Sequence, residues 1–109
     1  MTRQAYEFTF DVAQATTLLA AISNHQRLRI VMMLMEGERE VGSISTELKL
    51  SQSAASQHLR KLRDAHIVRT RRAAQLVFYS LASTDAERVI RAVGLSLAVS
   101  ASQDGGRHH

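Results

Sequence analysis

Cysteine is absent from the 109-residue chain. That excludes disulfides, thiolate metal ligands, a cysteine nucleophile and any thiol redox switch. Proline is absent too, which suits a mostly helical chain with few rigid turns. Long apolar runs are missing as well. The longest charge-free stretch, Val12 to Gln26, contains Gln14, Thr16, Thr17, Ser23 and Asn24. A membrane span needs about 20 mostly apolar residues, so no crossing segment is expected. Glu7 and Asp11 interrupt any signal-peptide core. Apolar residues at 45% and charged residues at 22% argue against wholesale disorder. These features predict one soluble, cytoplasmic domain over residues 1–102, followed by a flexible tail at 103–109.

The net charge is +4, and its distribution is uneven. Residues 49–76 hold Lys49, Arg60, Lys61, Arg63, Arg69, Arg71 and Arg72 against the single acid Asp64. The remaining residues carry seven basic and nine acidic side chains. A basic quarter on a slightly acidic domain is the footprint expected of nucleic-acid binding.

Helical spacing is evident from the start. Phe8, Val12, Ala15, Leu19 and Ile22 form a stripe that predicts a first helix over about residues 8–22. Ser23 or Asn24 can cap a second helix with Leu28, Val31, Met32 and Met35 inward, ended by Gly37. Met33 also reads as core rather than as a cofactor contact. Val41, Ile44 and Leu48 mark a short third helix, and Lys49-Leu50 a tight connection. Ser51 is a good N-cap for a fourth helix from Gln52 to about Ala65. Two segments rich in β-branched and aromatic residues follow, Ile67 to Arg72 and Leu76 to Leu81. The three residues Ala73, Ala74 and Gln75 read as their hairpin loop. Ser83 or Thr84 can cap a last helix from about Asp85 to Ser100.

The fourth helix divides by side. Ala54, Ala55, Leu59 and Leu62 fall on one face, and Ser53, Ser56, Gln57, Arg60 and Lys61 on the other. Short helix, tight turn, polar-faced helix and basic hairpin together predict a mainly α fold with a small β-hairpin, a winged helix-turn-helix. In that arrangement the N-terminal part of the polar-faced helix enters the major groove of duplex DNA. Gln52, Ser53, Ser56 and Gln57 are expected at base edges, where small hydroxyls and amides approach closely and hydrogen-bond. Phosphate contacts are expected from His58, Arg60, Lys61 and Arg63 on the helix, and from Arg71, Arg72 and Gln75 on the wing.

The last helix is apolar on more than one side. Its excess predicts a homodimer interface of Phe8, Val12, Ala15 and Leu19 with Ile90, Val93 and Leu97. No Ser-His-Asp set, phosphate loop or paired-carboxylate cleft is visible, so no enzymatic activity is expected. Two rivals stand beside the DNA-binding reading. One is a repressor of the same fold gated by a small ligand between the terminal helices. The other is a winged-helix module that binds protein; the basic segment weighs against it.

Asn24 to Ile30, Leu50 to Arg63, Ile67-Val68 and Tyr79-Ser80-Leu81 resemble the ArsR/SmtB family of bacterial winged-helix repressors. The resemblance covers about residues 13–97. It implies a homodimer joined through its first and last helices, an operator with two half-sites, and repression by blocking transcription. The chain departs from the metal-sensing members. Val41 to Ser45 has no Cys-x-Cys, and Asp85-Ala86-Glu87 is followed by no histidine before His108. Two carboxylates alone make a poor Zn²⁺ or Ni²⁺ site, so no metal cofactor is expected. The chain looks like the metal-independent, NolR-like members. His66 stands where the family usually has Gly, which implies a helix cap with positive φ, and Ala74 replaces a frequent wing-tip Gly.

Overall fold

The computed structural model describes the backbone of residues 9–108 and the side chains of residues 9–98. The elements run α1 (Val12–Ile22), α2 (His25–Met35), β1 (Arg39–Glu40), α3 (Val41–Leu48), α4 (Gln52–Asp64), β2 (Val68–Ala73), β3 (Leu76–Leu81) and α5 (Thr84–His108).

Side-chain caps set where the helices start. Asp11 accepts from the Ala13 N–H at 2.9 Å, so α1 begins at Val12 rather than near residue 8, and Phe8 lies outside the described residues. Asn24, not Ser23, caps α2, accepting from the N–H groups of Gln26 and Arg27 at 3.0 Å each. Ser51 caps α4 through the Ala54 N–H, and Ser83 caps α5 through the Ala86 N–H, both at 3.0 Å. The last helix does not stop near residue 100. It runs to His108.

The core gathers Ile30, Val31, Ile44, Leu59, Leu62 and Ile67, all fully buried, from three helices and the approach to the wing. On α2 the buried face is Ile30, Val31, Met33 and Leu34. Met32 was expected inside, yet it is 50% exposed. It lies about 200° around the helix from Ile30 and lines a cleft with Gly94 and Leu95 of α5. Ile90 is 7% exposed within the protomer, packed in the core with Ala86. It is therefore core, not part of an open interface.

The sheet has three strands in the order β1-β3-β2, all antiparallel. The two-residue β1 was not anticipated; a segment this short carries no alternation and is defined by its partner, Arg39 opposite Tyr79 and Glu40 opposite Phe78. Between β2 and β3 the turn is two residues, Ala74 and Gln75, not three, because Ala73 pairs with Leu76. Ala74 takes φ 56°, matching the positive first central residue of a primed hairpin turn, whose twist suits antiparallel strands. Beyond Ile90 every described residue of α5, 91–98, is exposed. This projecting helix helps make the radius of gyration 16.9 Å, against about 13 Å for a compact chain of this length. Among the described residues no helix is long and apolar enough to cross a membrane.

Candidate nucleic-acid interface

Two helices and a turn define the site. α3 ends in Lys49, held at φ 59° with its N–H bonded to the Thr46 carbonyl, while the Leu50 N–H reaches the Ser45 carbonyl at 2.9 Å. These bonds satisfy the carbonyls left open at the end of α3 and reverse the chain within three residues. Glu40 anchors the other end of α3, accepting from the Gly42 N–H at 2.9 Å. A Cβ at Gly42 would lie 2.9 Å from Glu40 Oε1, so the cap is compatible only with glycine or with a shifted carboxylate.

α4 is amphipathic as expected. Ala55, Leu59 and Leu62 are fully buried, which fixes the rotation of the helix. Gln52, Ser53, Ser56 and Gln57 consequently face outward, and none spends its side chain on a hydrogen bond among the described residues. Arg60, Lys61 and Arg63 are exposed further along. His66 closes the helix at φ 61°, the cap expected of that position, with its N–H on the Arg63 carbonyl. The Ile67 N–H takes the Leu62 carbonyl and directs the chain into the wing. On the wing, Arg72 and Gln75 are exposed. Among the described residues, Arg60, Lys61, Arg63 and Arg72 form no ion pair.

Two expected phosphate ligands are committed elsewhere. Arg71 donates from Nε and Nη2 to the Glu38 carboxylate, both at 2.8 Å, and its guanidinium lies 4.6 Å from the Phe78 ring centroid. The hydrogen bond to Arg71 holds the Glu38 carboxyl below its usual range. Sequence reasoning missed Glu38, because its partner is 33 residues away and the strand that places it has no pattern. His58 is half-buried, with Nδ1 3.5 Å from Nη1 of Arg27. Burial, and then the charges of Arg27 and Lys61, push its pKa down. Nearby, Arg39 on β1 is bonded to Ser43 and Glu47 of α3, which ties the short strand to the first helix of the pair.

A buried hydrophobic back, an amide and hydroxyl front, flanking cations and a two-stranded arm define a winged helix-turn-helix DNA-binding protein. A family model described as bacterial regulatory protein, arsR family, matches residues 24–70. Over 84 residues the chain is 50% identical to the transcriptional activator HlyU of Vibrio cholerae, covering 77% of this chain and 78% of that one. The nodulation protein NolR of Rhizobium meliloti is 41% identical over 83 residues, covering 76% and 68%. The homodimeric winged helix-turn-helix DNA-binding domain of Mb0332 from Mycobacterium bovis matches with TM-score 0.73 at 29% identity, covering 80% and 81%. The chain belongs to the ArsR family of transcriptional regulators.

Proposed function

We propose that two copies of the chain join through α1 and α5 and bind a duplex operator with two half-sites, without a metal cofactor and without catalysing a reaction. The bound dimer, acting in the cytoplasm, lowers transcription by occupying promoter DNA. One observation carries the reading. The outward face of α4 presents uncommitted amides and hydroxyls in its first two turns and unpaired cations after them. Bases are read by the former and phosphates held by the latter.

The proposed dimer follows from exposed apolar side chains. Val12 and Leu19 on α1, and Val93 and Leu97 on α5, are 48–69% exposed, a cost that a second copy removes. Absence of a metal is argued from donor chemistry, since the chain supplies no thiolate and no imidazole between His66 and His108. Selection of bound fragments from genomic DNA, followed by anisotropy titrations against salt with Zn²⁺ or with a chelator, tests the operator and the metal-free parts. Specific, salt-dependent binding that is equal in both media is expected. A tenfold metal effect would remove the metal-free reading, and no specific fragment would remove the operator. The sign of regulation is read by a reporter carrying the selected site.

A cleft of about 360 Å³ between α1 and α5, lined in part by Ala15, Leu18, Asp85 and Val89, favours a second reading in which a small ligand gates the dimer. Its volume falls within the range of small-molecule sites.

A further inference from the structure

Arg27 sits where three helices meet. From the first turn of α2 its Nε donates to the Ala21 carbonyl at 2.6 Å, and its Nη2 to the Ala20 carbonyl at 3.4 Å. Both carbonyls belong to the last turn of α1, where helical donors run out and the helix dipole is negative. The guanidinium is therefore stabilised there twice over. Its remaining arm, Nη1, lies 3.5 Å from Nδ1 of His58 on α4. Arginine only donates, so this contact requires an imidazole with a lone pair on Nδ1 and its proton on Nε2.

The planar fork thus spans two carbonyls and a ring in one rigid group, which an ammonium cannot do. It links α1, whose outer face is apolar and exposed, to the residue that follows Gln57 on the groove-facing helix. α4 is otherwise held by Ala55, Leu59 and Leu62, all fully buried, and the Arg27–His58 contact adds a tie towards α1 at its edge.

We propose that Arg27 is a positioning residue that fixes the tilt of α4 against α1 through neutral His58, so that operator affinity falls when His58 takes up a proton. The inference rests on the operator-binding reading above. It also replaces the phosphate contact expected of His58 with a role inside the protomer.

The charges around His58 support the sign. Arg27 from α2 and Lys61 on α4 both bear on it, and burial adds to them, holding its pKa below the ordinary 6.5. α1 has no ionisable side chain from Val12 to Ile22. On the other elements packed against α4, Glu47 of α3 is bonded to Arg39, and Arg71 of β2 to Glu38; Arg69 and Arg72 of β2 add only like charge. Among the described residues, no carboxylate, Asp64 of α4 included, bears on the ring. Because the folded pKa is lowered, the arrangement is intact above pH 6.5 and weakens as pH falls below that value.

Three proteins test the proposal, wild type, His58→Gln and Arg27→Lys, by anisotropy on the selected operator from about pH 7.5 to about pH 5.5. Wild type should lose about tenfold in affinity across the range. His58→Gln keeps an acceptor for Arg27 without a titrating ring. It should match wild type near pH 7.5 and lose less than about threefold at the acid end, with His25 and His66 still present. Arg27→Lys should bind several-fold more weakly near pH 7.5, with an unchanged slope of log K against log salt. A slope lower by about 1–2 would make Arg27 a phosphate ligand and overturn the proposal. Retention of the full acid loss in His58→Gln would overturn it equally. NMR titration of the His58 ring without DNA reads the contact alone, should Arg27→Lys fold poorly. A midpoint at or above the ordinary histidine value would remove the contact, whereas failure of wild type to bind any fragment would remove the operator reading instead.

Discussion

Glu38 holds Arg71 by two hydrogen bonds of 2.8 Å across β3, with the guanidinium resting over Phe78. The strand register makes this possible. Arg71 pairs with Phe78, and Phe78 with Glu40, so Glu38 emerges on the same face two residues earlier. An arginine shared between a carboxylate and an aromatic face must give up those contacts before it can meet a phosphate.

Replacing Glu38 with Gln should release Arg71 and remove a negative charge from the wing. Operator and scrambled duplexes should both bind more tightly, and the slope of log K against log salt should steepen by about 1–2 for a dimer. Anisotropy across a salt series checks this. An unchanged slope with weaker binding would mean that the pair is a brace which DNA binding needs. The pair also has a pH signature. With the Glu38 pKa held below the ordinary 4.5 by its bond to Arg71, the stabilisation is full above pH 4.5 and lost as pH falls below it. Both side chains are substantially exposed, so salt should erase most of the effect.

Leu97 and Ile90 are two turns apart on α5 and should behave differently. Leu97 is 63% exposed and Ile90 7%. Leu97→Glu should give a folded monomer that has lost operator binding. Ile90→Glu buries a charge in the protomer core and should cost several kcal/mol, unfolding much of the chain. Sedimentation with circular dichroism distinguishes the two; a Leu97→Glu protein that stays dimeric would move the interface away from this face.

Ala74 takes a left-handed conformation at φ 56° for which alanine is strained. Ala74→Gly should stabilise the hairpin by about 0.5–1 kcal/mol, because the relief of strain exceeds the added freedom of the unfolded chain. A rise of about 2–6 °C in melting temperature is the expected readout. A fall would show that the turn does not need a positive φ at this position.

Much of this was legible in the residues, and the reasons differ by element. α4 could be read closely because Ala55, Leu59 and Leu62 repeat at helical spacing while the opposite face is uniformly polar. The positive φ at His66 follows from the need to leave a helix abruptly and enter a strand. Pairwise relations across the fold were not legible. Whether an exposed cation meets a phosphate or a carboxylate depends on what the topology brings alongside, and neither Glu38 for Arg71 nor Arg27 for His58 has a sequence signature. Periodicity also could not divide the apolar surplus of α5 between core and surface. Ile90 is buried in the core while Val93 and Leu97 are exposed, although Leu97 lies two turns on along nearly the same face, so the distinction is set by where the neighbouring core ends.

Variants of Gln57 and Arg72 should separate reading from holding. Gln57 is exposed in the second turn of α4, on the face opposite Ala55 and Leu59, where that helix meets base edges in a winged helix-turn-helix. Its amide can pair bidentately with N6 and N7 of adenine, worth about 1–3 kcal/mol of discrimination. Arg72 lies two residues before the wing turn, exposed and without a carboxylate partner among the described residues, as a phosphate ligand should be. Gln57→Ala should relax preference at particular operator positions and leave the salt slope nearly unchanged. Arg72→Ala should weaken operator and scrambled DNA alike and flatten the slope by about 1–2 for a dimer. Both variants are measured on both duplexes across one salt series. If Gln57→Ala weakens the two DNAs equally while Arg72→Ala alters base preference, α4 does not present its second turn to the bases, and the wing rather than the helix reads the sequence.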